Sequence, residues 1–569
     1  MSRFYSRQWK KIIGKSVTFV LRLRLKDKTI NTHAMKKLYL LLLPCLLLAV
    51  ACNRGLTIEQ PEITHNFSTN NLVLERIVRT SEATRLDLTV CCLPGSRFSI
   101  SPETHLKSSK GEKTYALIGA EGVEIGKKMQ SDSTGLTAVS LFFEPLADDE
   151  EQIDFIESEE WQLLGINLSP QKKPAKIECL IEGTVSGRPQ STAILLNSPE
   201  EVFNRYKKGN IVIPIRNRKF SYRLYTDTCT VYGLCFNDEW INGHAYIKDF
   251  FAEPGRLVLT IKDDNTFRVE GGKLNDEYQR LYSYGQERMR PLYDRRDSLD
   301  KARKLYTPEV YALFDEMDSC TDRSRRNLLS EKFQNLRVDG KAYSREGDAL
   351  DKMAQKLLNE IEEWESAQIK EHPSLVTYYL LHEKLKACII YDKQPAPDSL
   401  VDVYRTLYLP SYPEHPFTRE IETYLQSQQT FVGGKYIDLV LPDTTGTPHR
   451  LSELLQGSKI ALIDFWSIHC GPCRRTSKAM IPVYERYKDK GFCIVGISRD
   501  GMQQMIRGIR HDGYPWINLI DEYNKNQIFK SYGIDNSAGY TFLVDSCGTV
   551  IAAGASAEEM TAIVEKYCR

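Results

Sequence analysis

Apolar residues alternate with polar ones along the first third of the chain. Leu86, Leu88 and Val90 show the period clearly, as do Tyr115–Ile118 and Ala138–Phe143. A period of two puts every other side chain on one face of a strand. Short runs of this kind between turn signals predict a β-sandwich domain over 58–197. A second β block, a small domain, is expected over 200–274. There Phe220, Tyr222 and Leu224 alternate, and Leu257–Ile261 and Phe267–Val269 flank Asp264-Asn265, a hairpin signal. From 275 to 430 the period becomes helical. Thr307-Pro308-Glu309 reads as a cap with proline at the first helical position, followed by Val310, Leu313, Phe314 and Met317 on one face. Leu350, Met353, Leu357, Ile361 and Trp364 mark another helix, which His372-Pro373-Ser374 breaks. Over 431–569 strands and helices alternate. Ile460–Phe465, Phe492–Ile497, Ile517–Ile520, Thr541–Val544 and Val550–Ala553 are the strand candidates. Helices fit after Cys473, at 502–511, near 525–532 and at 557–567. The predicted class is multidomain: sandwich-like β domains, then a helical region, then an α/β domain with a βαβ unit, a β-hairpin and a terminal helix.

The N-terminus changes the picture by adding a compartment. Met35-Lys36-Lys37 precedes an apolar core from Leu38 to Val50. A positive start and a core shorter than the roughly 20 residues of a membrane span read as an export signal. Residues 1–51 are therefore assigned to an upstream extension and a lipoprotein signal peptide. The stretch ends Leu48-Ala49-Val50-Ala51-Cys52, which resembles a bacterial lipoprotein cleavage site with Cys52 as the lipidated residue. An ordinary signal peptide cut near Ala51 is the alternative. The expected location is the cell envelope, lipid-anchored and facing the periplasm.

Composition excludes some functions. Net charge is +1, which gives no broad field for nucleic acid. Of the 14 cysteines, one pair has functional spacing. Cys91 and Cys92 are adjacent and face opposite sides of any strand. Cys229 and Cys235 are spaced so that they either meet across a hairpin or stay free. No His/Cys grouping has zinc spacing, so no metal is expected. Asp148-Asp149-Glu150-Glu151 reads as a solvated loop.

The chemistry concentrates in Cys470-Gly471-Pro472-Cys473, at the end of the apolar run Ile460–Trp466. Two thiols three positions apart at a strand-to-helix junction form a reversible disulfide. Helix N-terminal amides favour negative charge there and so favour the thiolate. Outside the cytosol such a pair must be supplied with electrons or oxidant.

The segment Ala461–Cys473 resembles the active-site segment of thioredoxins. Leu439–Gly446, the Leu451-Ser-Glu-Leu stretch and Gly491–Asp500 look like the TlpA/ResA-type membrane-anchored branch. The N-terminal β segments resemble the immunoglobulin-like part and the small β domain of unknown function found in some bacterial lipoproteins. The thioredoxin resemblance implies Cys470 as nucleophile, Cys473 as resolving thiol, and Asp464 as a buried acid relaying protons to it. Trp466 packs beside the site, and Gly471 and Pro472 fill the turn. A stiff, uncharged pair between the thiols goes with a reducing potential, near about −270 mV for thioredoxin itself. His469 replaces the usual aromatic and, if protonated, stabilises the thiolate; a plain surface histidine is the other reading. Two departures stand out. Gly539, followed by Tyr540, occupies the position of the family's cis-proline, and Lys478 that of its helix-kinking proline, with Pro482 nearby.

The resemblance implies a thiol–disulfide oxidoreductase that reduces exported protein disulfides. It would draw electrons from a membrane thiol donor and need no cofactor beyond the Cys470–Cys473 disulfide. A thiol peroxidase would want Pro-x-x-x-Thr-x-x-Cys, which the chain lacks. A scaffold lipoprotein with an accessory, weakly active redox domain is the alternative of a different class.

Overall fold

The computed structural model describes residues 56–66, 72–158, 161–169, 176–197, 211–242, 245–263, 266–534 and 539–569. The export signal and Cys52 lie outside them, as do Asp264, Asn265, Ser537 and Ala538. The first unit is a nine-stranded sheet whose order brings strand Leu56–Glu59 to one edge and His65–Asn66 to the other. Leu74, Leu86 and Val139 from one half share a single core with Leu106, Ile153 and Phe155 from the other. Alternation in the sequence thus became inward-facing residues of one wrapped sheet.

The division between the two β units differs from the expected one near 197. Ile177–Val185 pairs antiparallel with Lys219–Thr226 and parallel with Gly255–Ile261. Ala193–Asn197 pairs with Thr230–Phe236. Both strands therefore belong to the second unit, two four-stranded sheets facing each other. Cys179, Ile181 and Ile194 enter the same core as Phe220, Leu234 and Leu257. Period-two patterning reports a buried face and not which sheet owns it. The hairpin Gly255–Ile261 and Phe267–Glu270 forms as expected.

Three further details bear on sequence expectations. Cys91 and Cys92 enter different cores, and Cys229 and Cys235 are free thiols. Glu150 is no solvated loop residue: it is buried and accepts hydrogen bonds from Ser108 Oγ (2.9 Å) and Tyr115 OH (2.8 Å). Helix Arg345–Glu371 buries Leu350 and Ile361, but Met353 is exposed on it.

Helices fill 273–427, from Lys273–Lys301 to Pro416–Ser427. Helix Leu375–Lys386 packs its tyrosines against Phe251 of the second β unit. Helix Pro416–Ser427 meets the short helix Ile528–Ser531 of the C-terminal domain, where Lys530 Nζ pairs with buried Glu420.

That C-terminal domain holds a five-stranded mixed sheet. Its elements are β1 (Ile460–Trp466), α1 (Gly471–Tyr487), β2 (Phe492–Ser498), α2 (Met502–Asp512), β3 (Ile517–Ile520), β4 (Tyr540–Asp545), β5 (Val550–Ala553) and α3 (Ala557–Cys568). The sheet order is β3-β2-β1-β4-β5. β1 runs parallel to β2 and antiparallel to β4. All seven residues of β1 are buried, because both faces of this central strand are covered. Leu462 and Trp466 pack with Met480 of α1, Met505 of α2 and Met560 of α3. Ile463 and Phe465 point to the other face, toward Phe529 and Tyr532. β1 and α1 therefore meet at one end of the sheet.

Candidate active site

Cys470 caps α1. It has extended φ/ψ of −90° and 90°, and its Sγ accepts a 3.3 Å hydrogen bond from the Cys473 N–H. Pro472 falls in the first helical turn, where no backbone donor is missed. The two cysteines are joined by a disulfide with Cα atoms 5.4 Å apart. Both are partly buried.

Asp464 lies on β1, the strand that leads into the pair, and is buried. Burial lifts its carboxyl to about 6, opposed by a hydrogen bond from Ser477. Ser477 Oγ donates to Asp464 Oδ2 at 2.6 Å and also approaches the Cys473 carbonyl oxygen at 3.0 Å. Ser477 thus links the acid to the helical turn that carries the second thiol. It sits four residues after Cys473, on the helix face turned to the core. A polar residue on an otherwise apolar face is the signal that marks it in the sequence.

The turn before Cys470 is held from both sides. Asp500, buried just beyond β2, accepts from Ser467 Oγ (2.7 Å), the Ile468 N–H (2.7 Å) and Ser498 Oγ (2.9 Å). Arg474 donates to the Ile468 carbonyl at 3.2 Å. Asp512, at the end of α2, grips Arg474 through both oxygens at 2.6 and 2.9 Å. Tyr514 OH donates to Asp512 at 3.1 Å, and Lys478 Nζ lies 3.2 Å from it. The Arg474 hydrogen bond, with those of His511, Lys478 and Tyr514, holds the Asp512 carboxyl well below the usual range, against burial. Sequence reasoning missed the roles of Asp500, Asp512 and Arg474, since the contacts Asp500–Ile468 and Arg474–Asp512 join residues 32 and 38 apart.

The other expected neighbours divide. Trp466 is buried, donates from Nε1 to Asn518 Oδ1 at 2.9 Å, and shares a cluster with Cys473. His469 is exposed, and its N–H donates to Ser467 Oγ at 3.2 Å. Gly539 N–H donates to Cys473 Sγ at 3.0 Å. A Cβ at 539 would lie 2.0 Å from the Phe465 carbonyl oxygen and 2.8 Å from that sulfur. Glycine here permits a backbone donor to touch the inner thiol, which a proline could not supply. Tyr540 packs instead with Phe542 in the cluster on the opposite face of the sheet. Lys478, in the place of a kinking proline, pairs with Asp512; Pro482 lies inside α1.

Comparison with known proteins bears on residues 432–553, which match the AhpC/TSA family. The thiol-disulfide oxidoreductase ResA of Geobacillus thermodenitrificans is 28% identical over 120 residues, covering 21% of this chain and 66% of that protein. ResA of Bacillus anthracis is 26% identical over 121 residues, covering 21% and 67%. The C-terminal domain is thioredoxin-like. This chain spans about two thirds of the length of these curated relatives. Among solved structures, the thioredoxin domain of a thiol-disulfide oxidoreductase from Bacteroides vulgatus aligns with 24% of this chain and 98% of its own, at 26% identity and a TM-score of 0.23. A DsbE-type thiol:disulfide interchange protein from Chlorobium tepidum aligns with 23% and 95%, at 28% identity and a TM-score of 0.21.

Proposed function

We propose that this protein is a lipid-anchored thiol–disulfide oxidoreductase of the cell envelope that reduces disulfides of exported proteins. One observation carries the reading. A disulfide bridges the N-cap and first turn of α1, while a buried carboxyl with a raised pKa is hydrogen-bonded to the same helix through Ser477. In the reduced enzyme the Cys470 thiolate attacks one sulfur of a substrate disulfide, and the other leaves as a thiolate that takes up a proton. Cys473 then gives its proton toward Asp464, and its thiolate displaces the substrate's remaining sulfur. Two electrons have passed to the substrate and the Cys470–Cys473 bond has formed. A dithiol donor at the membrane reverses the exchange and restores the reduced enzyme. A carboxyl near 6 exchanges protons readily at neutral pH, which suits the relay.

The N-terminal sequence Met35–Cys52 supports the anchor and the periplasmic side. Among the described residues no helix is long and apolar enough to cross a membrane. The test is reduction of insulin by the full chain with dithiothreitol as donor. Cys470→Ser is expected to abolish turnover. Cys473→Ala is expected to accumulate mixed disulfides on Cys470. Wild-type protein that leaves insulin oxidised would refute the reading.

A further inference from the structure

The side of the disulfide formed by α1 and the end of α2 is basic. Helix N-termini favour acidic side chains, because unpaired N–H groups point outward there. The first turn of α1 has no acid and continues from Cys473 into Arg474, Arg475 and, a turn later, Lys478. Arg510 and His511 stand in the last turn of α2. The two helix ends adjoin: Arg474 Nη2 lies 3.1 Å from His511 Nδ1. Asp512 is the carboxylate amid them, and its side chain is fully buried and already bonded to Arg474 and Lys478. Arg475 and Arg510 are exposed and have no ionic partner among the described residues. A Cβ on Gly471 would lie 3.6 Å from Arg475 Nη1, so this guanidinium hangs beside the residue between the thiols. The whole chain is nearly neutral at +1, so this density of cations is local to the redox site.

We infer that this rim is a docking surface for acidic polypeptide, and that the enzyme prefers disulfides flanked by aspartate and glutamate. The inference rests on the exchange activity proposed above. Arg475 stands beside Gly471, so carboxylates flanking a sulfur brought to Cys470 would come within reach of its open guanidinium, with Arg510 adding charge from the end of α2. Charge of one sign at a reaction mouth raises encounter rates roughly 10- to 1,000-fold, and salt screens it within about 10 Å at 0.1 M.

The experiment compares three cyclic disulfide peptides, identical except for flanks of Asp/Glu, Ser/Gly or Lys/Arg, as substrates of the full chain with dithiothreitol as donor. At low salt kcat/KM is expected to be at least about tenfold higher for the acidic peptide than for the basic one. The ratio should fall toward one near 0.5 M salt. The double variant R475E/R510E should reverse the order, a ratio that does not depend on its absolute activity. Equal rates for acidic and basic peptides at low salt, with the neutral peptide turned over, would overturn the inference and leave the exchange activity standing. No turnover of the neutral peptide would remove both. Saturable binding of single-stranded DNA or anionic vesicles at low salt, without any peptide preference, would assign the rim to another partner and overturn the inference as well.

Discussion

Ser477 Oγ donates a 2.6 Å hydrogen bond to Asp464 Oδ2, and this is the polar contact that holds the buried acid to the helix of the second thiol. Burial raises the Asp464 carboxyl to about 6 from an unfolded value near 4. The folded state therefore keeps a proton that the unfolded chain releases. Stability contributed by this group is greatest below about pH 4, falls as pH rises to about 6, and is flat beyond. The penalty above pH 6 is about 3 kcal/mol. Asp464→Asn is expected to raise the melting temperature at pH 8 while slowing disulfide reduction about tenfold or more. Thermal melts at pH 5 and 8 check the first part, because the gain should shrink at the lower pH. Ser477→Ala removes a bond to the charged form, so the rising limb of the pH–rate profile should move up by about one pH unit.

Asp512 predicts the opposite pH behaviour. Its carboxyl is held low by Arg474 and its other partners, so its stabilisation is present above its unfolded pKa near 4 and is lost as pH falls below that. Asp512→Ala strands Arg474 and releases the Ile468 carbonyl from its grip. Breaking a fully buried carboxylate's pairings costs about 3 kcal/mol, reduced here because Arg474 and Lys478 are partly exposed. Denaturant melts at pH 7 should show a loss of roughly 1–3 kcal/mol, and the difference from wild type should narrow below pH 4. An unchanged midpoint at pH 7 would mean the cluster does not hold the turn.

How much of this was legible beforehand follows from the range of each interaction. The five strands of the C-terminal domain stand where apolar runs predicted them, because a buried central strand such as Ile460–Trp466 is apolar throughout. Cys470 and Cys473 declared themselves by spacing, and Asp464 by its place inside that run. Ser477 was readable in principle as a polar residue one turn beyond Cys473. The clamp was not: Asp500 and Asp512 meet Ile468 and Arg474 only once β2 and α2 have packed beside β1. Local patterning likewise could not tell which sheet Ile177–Val185 would join, since the alternation is the same in either. Nor could it foresee that Glu150 would be sealed beneath Tyr115, because its three acidic neighbours mark a surface loop.

Gly539 makes a prediction about potential. Its N–H points at Cys473 Sγ, and such a donor stabilises the thiolate and hence the reduced form. Gly539→Pro removes the donor, and the reduction potential should fall by about 30 mV, the equivalent of one charge-assisted hydrogen bond. Gly539→Ala keeps the N–H but brings a Cβ to 2.0 Å from the Phe465 carbonyl, so the chain must move off the sulfur. It should lose about 1–3 kcal/mol of stability and shift the potential the same way by less. Equilibration of each variant with glutathione buffers reads the potentials. Values equal to wild type in both would show that the donor does not tune the pair.

The helical region grips the thioredoxin-like domain through a buried charge cluster, and removing its central anion is expected to loosen the union of the two. Glu420 on helix Pro416–Ser427 is buried and pairs with Lys530 of the helix Ile528–Ser531. It also lies 2.7 Å from Nε2 of the fully buried His382, whose Nδ1 is 3.0 Å from Glu383. Burial opposes a charge on His382, but the two nearby glutamate carboxylates outweigh it and raise its pKa. A raised histidine stabilises the fold fully below its unfolded pKa near 6.5, and that contribution fades as pH climbs through the folded value. The fold of the helical region, which carries His382 and both glutamates, should therefore weaken on the alkaline side of neutrality. Glu420→Gln leaves Lys530 and His382 without their shared anion and is expected to cost about 3 kcal/mol, the scale for breaking a buried pair. Limited proteolysis in the connector around Phe431–Lys435 should then release a fragment carrying Cys470 and Cys473 faster than from wild type. Cleavage at the same rate in both proteins would show that other contacts across the junction, such as Lys393 with the Gly533 carbonyl and Thr430 with the Tyr532 carbonyl, hold the domain in place without this charge pair.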